Sequence, residues 1–434
     1  MDPVLGFALF IGALLAFLAT GTPVAVATGL LGVLGVFAFL PTAALTQLAT
    51  LAFSQSANFV LVIVPLYVLM GEALAATGIG KDLFVAARIW FRRIPGTLAV
   101  GTVFACALFA AVCGSSPVTA ATIGSMAVPE MIRHGYHRRL ALGVTAAGGT
   151  LGILIPPSIP MILYGIITET SIGALFIAGI VPGLMMAVML SATVMLIAWR
   201  HPEAAPKFTG HAGRGDRMVA LKGAGPVLLL AFWVLGSIYF GFATPTEAGA
   251  VGAAAALAIA AARRSLGLSV MGKVLGATAR TTAMFILLIV SGMFASFVLA
   301  RLGVPQGMAT LLAGLDVAPW VIMVLINVTI LILGMFMDPM SILVIMVPAL
   351  YPSVIALGYD PVWFGVMLTI NIEIAAITPP VGFNLFVLKS VIPNSDMSDI
   401  IRGSLIFIVP LALGIVALIA FPDIVLGLPR LMLR

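Results

Sequence analysis

Long apolar runs alternate with short polar stretches along nearly the whole chain. A helix rises about 1.5 Å per residue, so about 20 apolar residues span a bilayer. Such runs occupy 3–20, 24–40, 58–77, 96–132, 138–168 and 172–199, and then 219–241, 246–262, 281–300, 319–356, 362–390 and 404–421. Four of them are interrupted. The run 96–132 has no charge before Glu130 and would stretch about 55 Å as one helix, but Cys113-Gly114-Ser115-Ser116-Pro117 breaks it. Asp338-Pro339 breaks 319–356 in the same way. Ser or Asp followed by Pro starts a helix: the side chain caps free N–H groups and proline takes the first helical position. Each long run therefore predicts two half-helices meeting at a tip. The runs that follow, 138–168 and 362–390, are broken by Pro156-Pro157 and Pro379-Pro380.

These features come in pairs. Thr22-Pro23 recurs as Thr244-Pro245, Gly78 as Gly303, Gly135-Tyr136 as Gly358-Tyr359, and Pro156-Pro157 as Pro379-Pro380, all at offsets of 222 to 225 residues. Such self-similarity predicts an internal duplication. The first repeat is 1–199, with scaffold spans in 3–77, an interfacial helix at 81–93, a hairpin at 96–132, a broken span at 138–168 and a span at 172–199. The polar stretch 200–218 is the linker. The second repeat is 219–434, with scaffold spans in 219–300, a hairpin at 319–356, a broken span at 362–390 and a span at 404–421.

Composition agrees with a membrane chain. Hydrophobic residues make up 62% of it and charged residues 8%, against roughly 45–50% and 25% in soluble domains. A soluble enzyme, a nucleic-acid-binding protein and a disordered chain are excluded. Cys106 and Cys113 share one apolar run and read as small packing residues. Met1-Asp2-Pro3 lacks a basic region, so the first run reads as a retained span.

Charge predicts the topology. If each hairpin enters and leaves on one side and each broken span crosses once, each repeat crosses five times. The second repeat then lies upside down relative to the first. Eighteen of the 21 Lys and Arg fall on one side, and Arg301, Arg430 and Arg434 on the other. The richer side is the cytoplasm, which places both termini in the periplasm. If the broken spans each crossed twice, the split would be 10 against 11, with no bias. Residues 81–93 are basic and amphipathic, and 263–280 form a basic cytoplasmic loop. Their counterparts at 304–318 and 41–57 carry only Asp316 and no charge.

Proline supplies no N–H to the carbonyl four residues earlier. The two breaks therefore predict free carbonyls at Gly152, Ile153, Ala375 and Ala376. Free backbone groups at membrane depth line a cavity or bind a ligand. Half-helix C-termini suit a cation and N-termini an anion. Each repeat thus offers a site made from a hairpin tip and the next break. A kink re-satisfied by its neighbours is the alternative for any single pair of prolines. Acidic residues inside or at the edges of apolar runs are costly and functional: Asp338 first, at a tip, then Glu373, then Glu72 and Glu247. Gly29, Gly32 and Gly35 form a small-residue packing ridge. Gly267 to Lys273 imitates a phosphate loop, but Val274 replaces the required Ser or Thr. No HExxH or GxSxG motif occurs, so no enzyme is expected.

GSSPVTAATIGSMAVPEM (114–131), AAGGTLGILIPPSIPMILYG (146–165) and NIEIAAITPPVGFNLFV (371–387) closely resemble the large membrane subunit of tripartite ATP-independent periplasmic (TRAP) transporters. The resemblance covers essentially the whole chain. It implies an all-α polytopic membrane protein of the ion-transporter-superfamily fold, with two inverted repeats, two re-entrant helical hairpins and two broken helices. It implies sodium-driven uptake of an organic acid by an elevator motion across the bacterial inner membrane. Two partners follow, a small four-span membrane subunit on a separate polypeptide and a periplasmic substrate-binding protein. Sodium is the coupling ion, with no organic cofactor and no transition metal. By motif, the first sodium site uses Ser115, Ser116, Gly152, Ile155 and Pro157. The second uses Gly334, Asp338, Ala375, Thr378 and Pro380. The substrate lies near Ser116, Thr119, Pro157, Asp338 and Asn384. A stand-alone anion or metabolite transporter of the same fold is the alternative, and a membrane-embedded enzyme or scaffold a more distant one.

Overall fold

Every long apolar run becomes one helix or a pair of helices. In the computed structural model, which describes residues 3–206, 214–314 and 316–432, the chain begins with α1 (Pro3–Ala19), α2 (Val24–Phe39), α3 (Thr46–Ser56), α4 (Ile63–Ala76) and α5 (Ile79–Trp90). There follow α6 (Thr97–Cys113), α7 (Ser116–Arg133), α8 (Arg138–Thr150), α9 (Ile159–Thr168) and α10 (Ile172–Arg200). The second half runs α11 (Arg214–Tyr239), α12 (Pro245–Ala262), α13 (Leu268–Arg301), α14 (Val304–Ala313) and α15 (Pro319–Gly334). It ends with α16 (Pro339–Ala356), α17 (Pro361–Ala376), α18 (Phe383–Val391), α19 (Met397–Ala420) and α20 (Asp423–Met432). Among the described residues there is no strand, and seven helices are long and apolar enough to cross a membrane.

The order recurs. Helices α4 to α10 and α13 to α19 follow the same sequence of span, short helix, hairpin, broken span and span. Gly78 and Gly303, a pair that marked the repeat, both stand before the short helix at φ +72°. A Cβ is strained at that φ, so glycine fits both places.

Two expectations change. Residues 268–280 are not loop: they are the opening turns of α13, a continuous helix of 34 residues. The matching stretch of the first half is broken, because Asn58 leaves the helical region and its side chain accepts the Val60 N–H, capping a new turn. Nothing comparable interrupts 268–301. The linker is also shorter than expected at its far end, since α11 starts at Arg214. Residues 201–206 fold back toward the turn before α8, where the His137 N–H donates to the Ala204 carbonyl at 2.9 Å. Residues 207–213 of the linker lie outside the described residues.

In lipid the apolar effect does not drive helices together, so close backbone approach and hydrogen bonds must do so. The glycine ridge of α2 lies on α13: a Cβ on Gly32 would come within 2.6 Å of the Phe294 ring, and one on Gly35 within 2.8 Å of Val298. Helix α4 packs on α12, and the Tyr67 hydroxyl donates to the Pro245 carbonyl at 3.1 Å. Helices α8 and α19 cross at Gly143 and Gly403, where a Cβ on Gly143 would sit 2.1 Å from the Gly403 carbonyl oxygen. The halves also exchange contacts. Helix α9 packs on α16, with the Tyr164 and Tyr351 rings edge-on at 6.3 Å. Helix α18 packs on α7, where a Cβ on Gly124 would lie 2.7 Å from Leu388. The second half of each broken span thus rests on the second arm of the other repeat's hairpin. Large apolar side chains such as Phe37, Phe53, Trp199 and Phe232 face outward, as lipid contact requires.

Candidate functional site

At the first tip, α6 ends on Gly114, at φ +64°. The extended residue Ser115, not Ser116, holds the cap position of α7, and its side chain makes no capping bond. Its carbonyl accepts both the N–H of Thr119 at 3.1 Å and the Thr119 hydroxyl at 2.8 Å. Ser116 is left out of the cap and instead accepts a hydrogen bond from Asn384 Nδ2 at 2.6 Å. At the second tip Asp338 does cap α16. One carboxylate oxygen accepts the N–H groups of Met340 at 3.1 Å and Ser341 at 3.3 Å, and the other accepts the Ser341 hydroxyl.

Both proline pairs have cis peptide bonds. After α8 the chain makes a short 3-10 turn, Leu151–Ile153, before reaching the prolines. Ser158 caps α9 by accepting the Met161 N–H at 3.3 Å, and its hydroxyl donates to the Ile153 carbonyl. The Ile153 carbonyl is therefore not free, contrary to the proline arithmetic. Nor is that of Ala375: the end of α17 tightens, and the Thr378 N–H reaches it at 3.1 Å. The Thr378 hydroxyl donates to the Ile374 carbonyl at 2.5 Å. Among the described residues no hydrogen bond reaches the carbonyls of Gly152 and Ala376.

Each tip meets the break of its own repeat. The Ile159 N–H donates to the Gly114 carbonyl at 3.3 Å, and the Val381 N–H to the Met335 carbonyl at 3.1 Å. A Cβ on Gly152 would lie 2.6 Å from the Ser115 carbonyl oxygen and 2.8 Å from Thr119 Oγ1. One on Gly114 would lie 2.6 Å from the Pro157 carbonyl oxygen. Ser115, Thr119, Gly152 and Pro157 are thus in contact range. On the other side, a Cβ on Gly334 would lie 2.6 Å from that of Ala375. The Ile155 side chain turns away toward α10, where a Cβ on Gly183 would meet it at 2.8 Å.

A cavity of about 420 Å³ lies where the tips face the scaffold helices. Ser115, Ser116, Asp338 and Ser341 line it from the tips, and Ile153, Ile159 and Phe383 from the breaks. Pro23 and Val24 at the start of α2, Gly71 and Glu72 on α4, and Thr281, Met284 and Phe285 on α13 form the opposite wall. Among the described residues two carboxylates and no basic side chain line the cavity. Thr119, Pro157 and Asn384 stand behind that lining, buried.

The other acidic residues divide. Glu72 faces the cavity. Glu247 is a local cap: its carboxylate accepts the Thr244 N–H at 2.8 Å while its own N–H donates to the Thr244 hydroxyl at 3.3 Å. Glu373 is wholly buried on α17, with neither carboxyl oxygen hydrogen-bonded among the described residues. Sequence reasoning missed Thr281, Met284 and Phe285. They read as ordinary span residues, and only the proximity of α13 to the tips gives them a place. Pro23 read as a span end, although its repeat partner Pro245 marked it.

The Gly152 carbonyl and the tip hydroxyls offer oxygen ligands only, which suits a hard cation such as sodium. The start of α7 has no side-chain cap on its first N–H groups, which suits an anion, whereas those of α16 are taken by Asp338.

The family model described as tripartite ATP-independent periplasmic transporter, DctM component, matches residues 11–424. The C4-dicarboxylate TRAP transporter large permease protein DctM of Pseudomonas aeruginosa is 37% identical over 404 residues, 93% of each chain. The protein of the same name from Rhodobacter capsulatus is 34% identical over 443 residues, 97% of this chain and 98% of that one. The Alcanivorax borkumensis YdaH transporter shares the fold, with a TM-score of 0.64 at 16% identity across 99% of both chains. A multi-pass helical chain with these relatives is a transporter permease and not an enzyme: it belongs to the TRAP transporter family, as its DctM component.

Proposed function

We propose that this permease carries out sodium-coupled secondary active uptake of an organic acid, a carboxylate, across the bacterial inner membrane. The observation that carries the reading is the cavity held between both hairpin tips and the scaffold helices α2, α4 and α13. The hairpins and broken spans form the moving part, and the scaffold helices stay fixed, in an elevator motion. Sodium binds at two places. The first is built on Ser115, Ser116, the free Gly152 carbonyl, Ile155 and Pro157. The second is built on Gly334, Asp338, Ala375, Thr378 and Pro380, beside the free Ala376 carbonyl.

The substrate carboxylate lies near Ser116 at the N-terminal end of α7 and near Asp338, whose charge the second sodium offsets, while Thr119, Pro157 and Asn384 support that wall from behind. Because two carboxylates and no basic side chain line the cavity among the described residues, bound sodium supplies the positive charge that lets a carboxylate enter. The Pseudomonas aeruginosa and Rhodobacter capsulatus relatives are C4-dicarboxylate permeases by name, which supports the carboxylate class here. A periplasmic binding protein delivers the substrate, and a small four-span membrane subunit completes the complex. The basic loops lie in the cytoplasm and both termini in the periplasm.

The test is uptake into proteoliposomes. With the small subunit, a binding protein, its carboxylate and an inward sodium gradient, substrate should accumulate; without any one of them it should not. Robust uptake by the lone chain would instead support a stand-alone transporter, and uptake indifferent to sodium would remove the coupling.

A further inference from the structure

The two crossings between repeats are not chemically alike. Where α18 lies on α7, Asn384 is fully buried. Its Nδ2 donates to Ser116 Oγ at 2.6 Å and stands 3.5 Å from the Ala146 carbonyl oxygen of α8. Its Oδ1 has no hydrogen-bond partner among the described residues. Turning the amide over would set Oδ1 against the Ala146 carbonyl, acceptor to acceptor, so the donor orientation is the favourable one. The offset of 223 that relates the proline pairs places Met161 opposite Asn384. A thioether cannot donate a hydrogen bond, and the Met161 side chain packs instead toward Gly179, where a Cβ would lie 3.0 Å from its Cε. At the same offset Ser116 matches Pro339, which has no hydrogen-bonding side chain, and the carboxylate of Asp338, the matched cap, is engaged by its own helix. Among the described residues only one of the two crossings therefore carries a polar link from a tip to the other repeat's break.

We propose that Asn384 is a positioning residue that couples the two cation sites, so that sodium at the first tip raises affinity at the second break. The inference rests on the sodium sites proposed above. A cation that orders Ser116 also fixes Asn384. That in turn holds the start of α18 and, through Gly382 at φ +59°, the stretch Thr378 to Pro380. A buried amide with one unsatisfied atom is not kept for stability alone, because an apolar residue of similar shape would remove that penalty. Leucine is such a residue, so Asn384→Leu should fold and should lose only the link. Asn384→Asp should keep it, with the Ser116 hydroxyl donating to the carboxylate.

The experiment is a sodium-binding titration of the purified full chain by calorimetry, with thermal melting and gel-filtration elution as the check on folding. Wild type should bind sodium with a Hill coefficient above one. Asn384→Leu should bind with a coefficient near one and a weaker site shifted about fivefold to tenfold, within the usual range of coupling between sites. Asn384→Asp should restore the cooperative shape. Should the Leu variant fail to fold, Asn384→Ala replaces it with the same expectation. A cooperative wild type whose curve survives the Leu or Ala change overturns the link alone. A wild type with no sodium binding at all overturns the link together with the cation sites.

Discussion

The two hairpin tips do the same topological task with different chemistry. The second is self-contained: Asp338 spends its carboxylate on two N–H groups and a hydroxyl of its own helix. The first is held from outside. Gly114 presses against the Pro157 carbonyl, Ser115 gives its carbonyl to Thr119, and Ser116 is held by Asn384 of the other repeat. The breaks differ in the same sense. A hydroxyl, Ser158, caps α9 after the first break, whereas the matched residue after the second is Val381 and α18 starts from a left-handed glycine. Duplication fixes where a chain turns. It leaves open which groups satisfy the turn, and among the described residues only the first tip is hydrogen-bonded by a side chain of the other repeat.

The largest effect should follow from pressing on that dependence. Gly114→Ala places a Cβ 2.6 Å from a main-chain oxygen at φ +64°. Relieving strain of about 2 kcal/mol or more by moving the tip out of its cation-binding geometry should cost at least about thirtyfold in sodium affinity. Gly334→Ala, at the second tip, meets the Ala375 and Ile342 side chains and no main-chain oxygen, and should lose less. Sodium-dependent uptake by the two variants orders the tips. Equal losses would show that the first tip is no more constrained than the second.

Next come the prolines. Replacing Pro156 and Pro157 with Ala restores two N–H donors and removes a penalty of about 3 kcal/mol per interior proline. The helix should close over the gap and take the Gly152 carbonyl from the cation, raising the sodium concentration for half-maximal transport about tenfold. The same change at Pro379 and Pro380 should act through the Ala376 carbonyl. A Pro156/Pro157 variant with the wild-type sodium curve would reduce the first break to a structural kink.

Much of this was legible in the sequence, for definite reasons. Apolar runs gave the helices because span length is set by the bilayer, and Pro339 gave the second tip because Asp before Pro caps strongly. The same rule pointed to Ser116 at the first tip and failed there, because Ser115 takes the cap and Pro117 the second helical position. The choice is made by Gly114 and its contact with Pro157, more than 40 residues away in sequence. Counting N–H groups lost to proline found the Gly152 and Ala376 carbonyls correctly. It failed for Ile153 and Ala375 because a serine hydroxyl and a tightened last turn supply donors that the count ignores. The part of the far wall that α13 builds left no local trace. Thr281 and Phe285 belong to a helix whose continuity through 268–280 was itself hidden by its charges.

Asp338 offers a cleaner separation of roles. Asparagine caps a helix about as well as aspartate, so Asp338→Asn should keep the melting temperature. It removes the charge proposed for the second sodium site, and the sodium requirement should rise about fivefold. Asp338→Ala loses the cap as well, at about 1 kcal/mol, and should fall in both measurements. An Asn variant with unchanged sodium dependence would mean that Asp338 only caps, and that the second tip is structural where the first binds.

The smallest change expected comes from making the first break resemble the second. In Ser158→Val the residue takes the identity of its repeat partner, Val381. The cap on the Met161 N–H is lost, which costs about 1 kcal/mol of stability. The Ile153 carbonyl, now without its hydroxyl, becomes free one residue from the Gly152 carbonyl and adds an acceptor beside the proposed cation. The two consequences oppose each other at the site, since a looser α9 weakens the geometry while a second carbonyl strengthens the field. Sodium affinity should therefore move by less than about threefold, although the melting temperature falls. A drop of tenfold or more would make the Ser158 hydroxyl a direct sodium ligand, and the two breaks would then differ in what they bind as well as in how they are held.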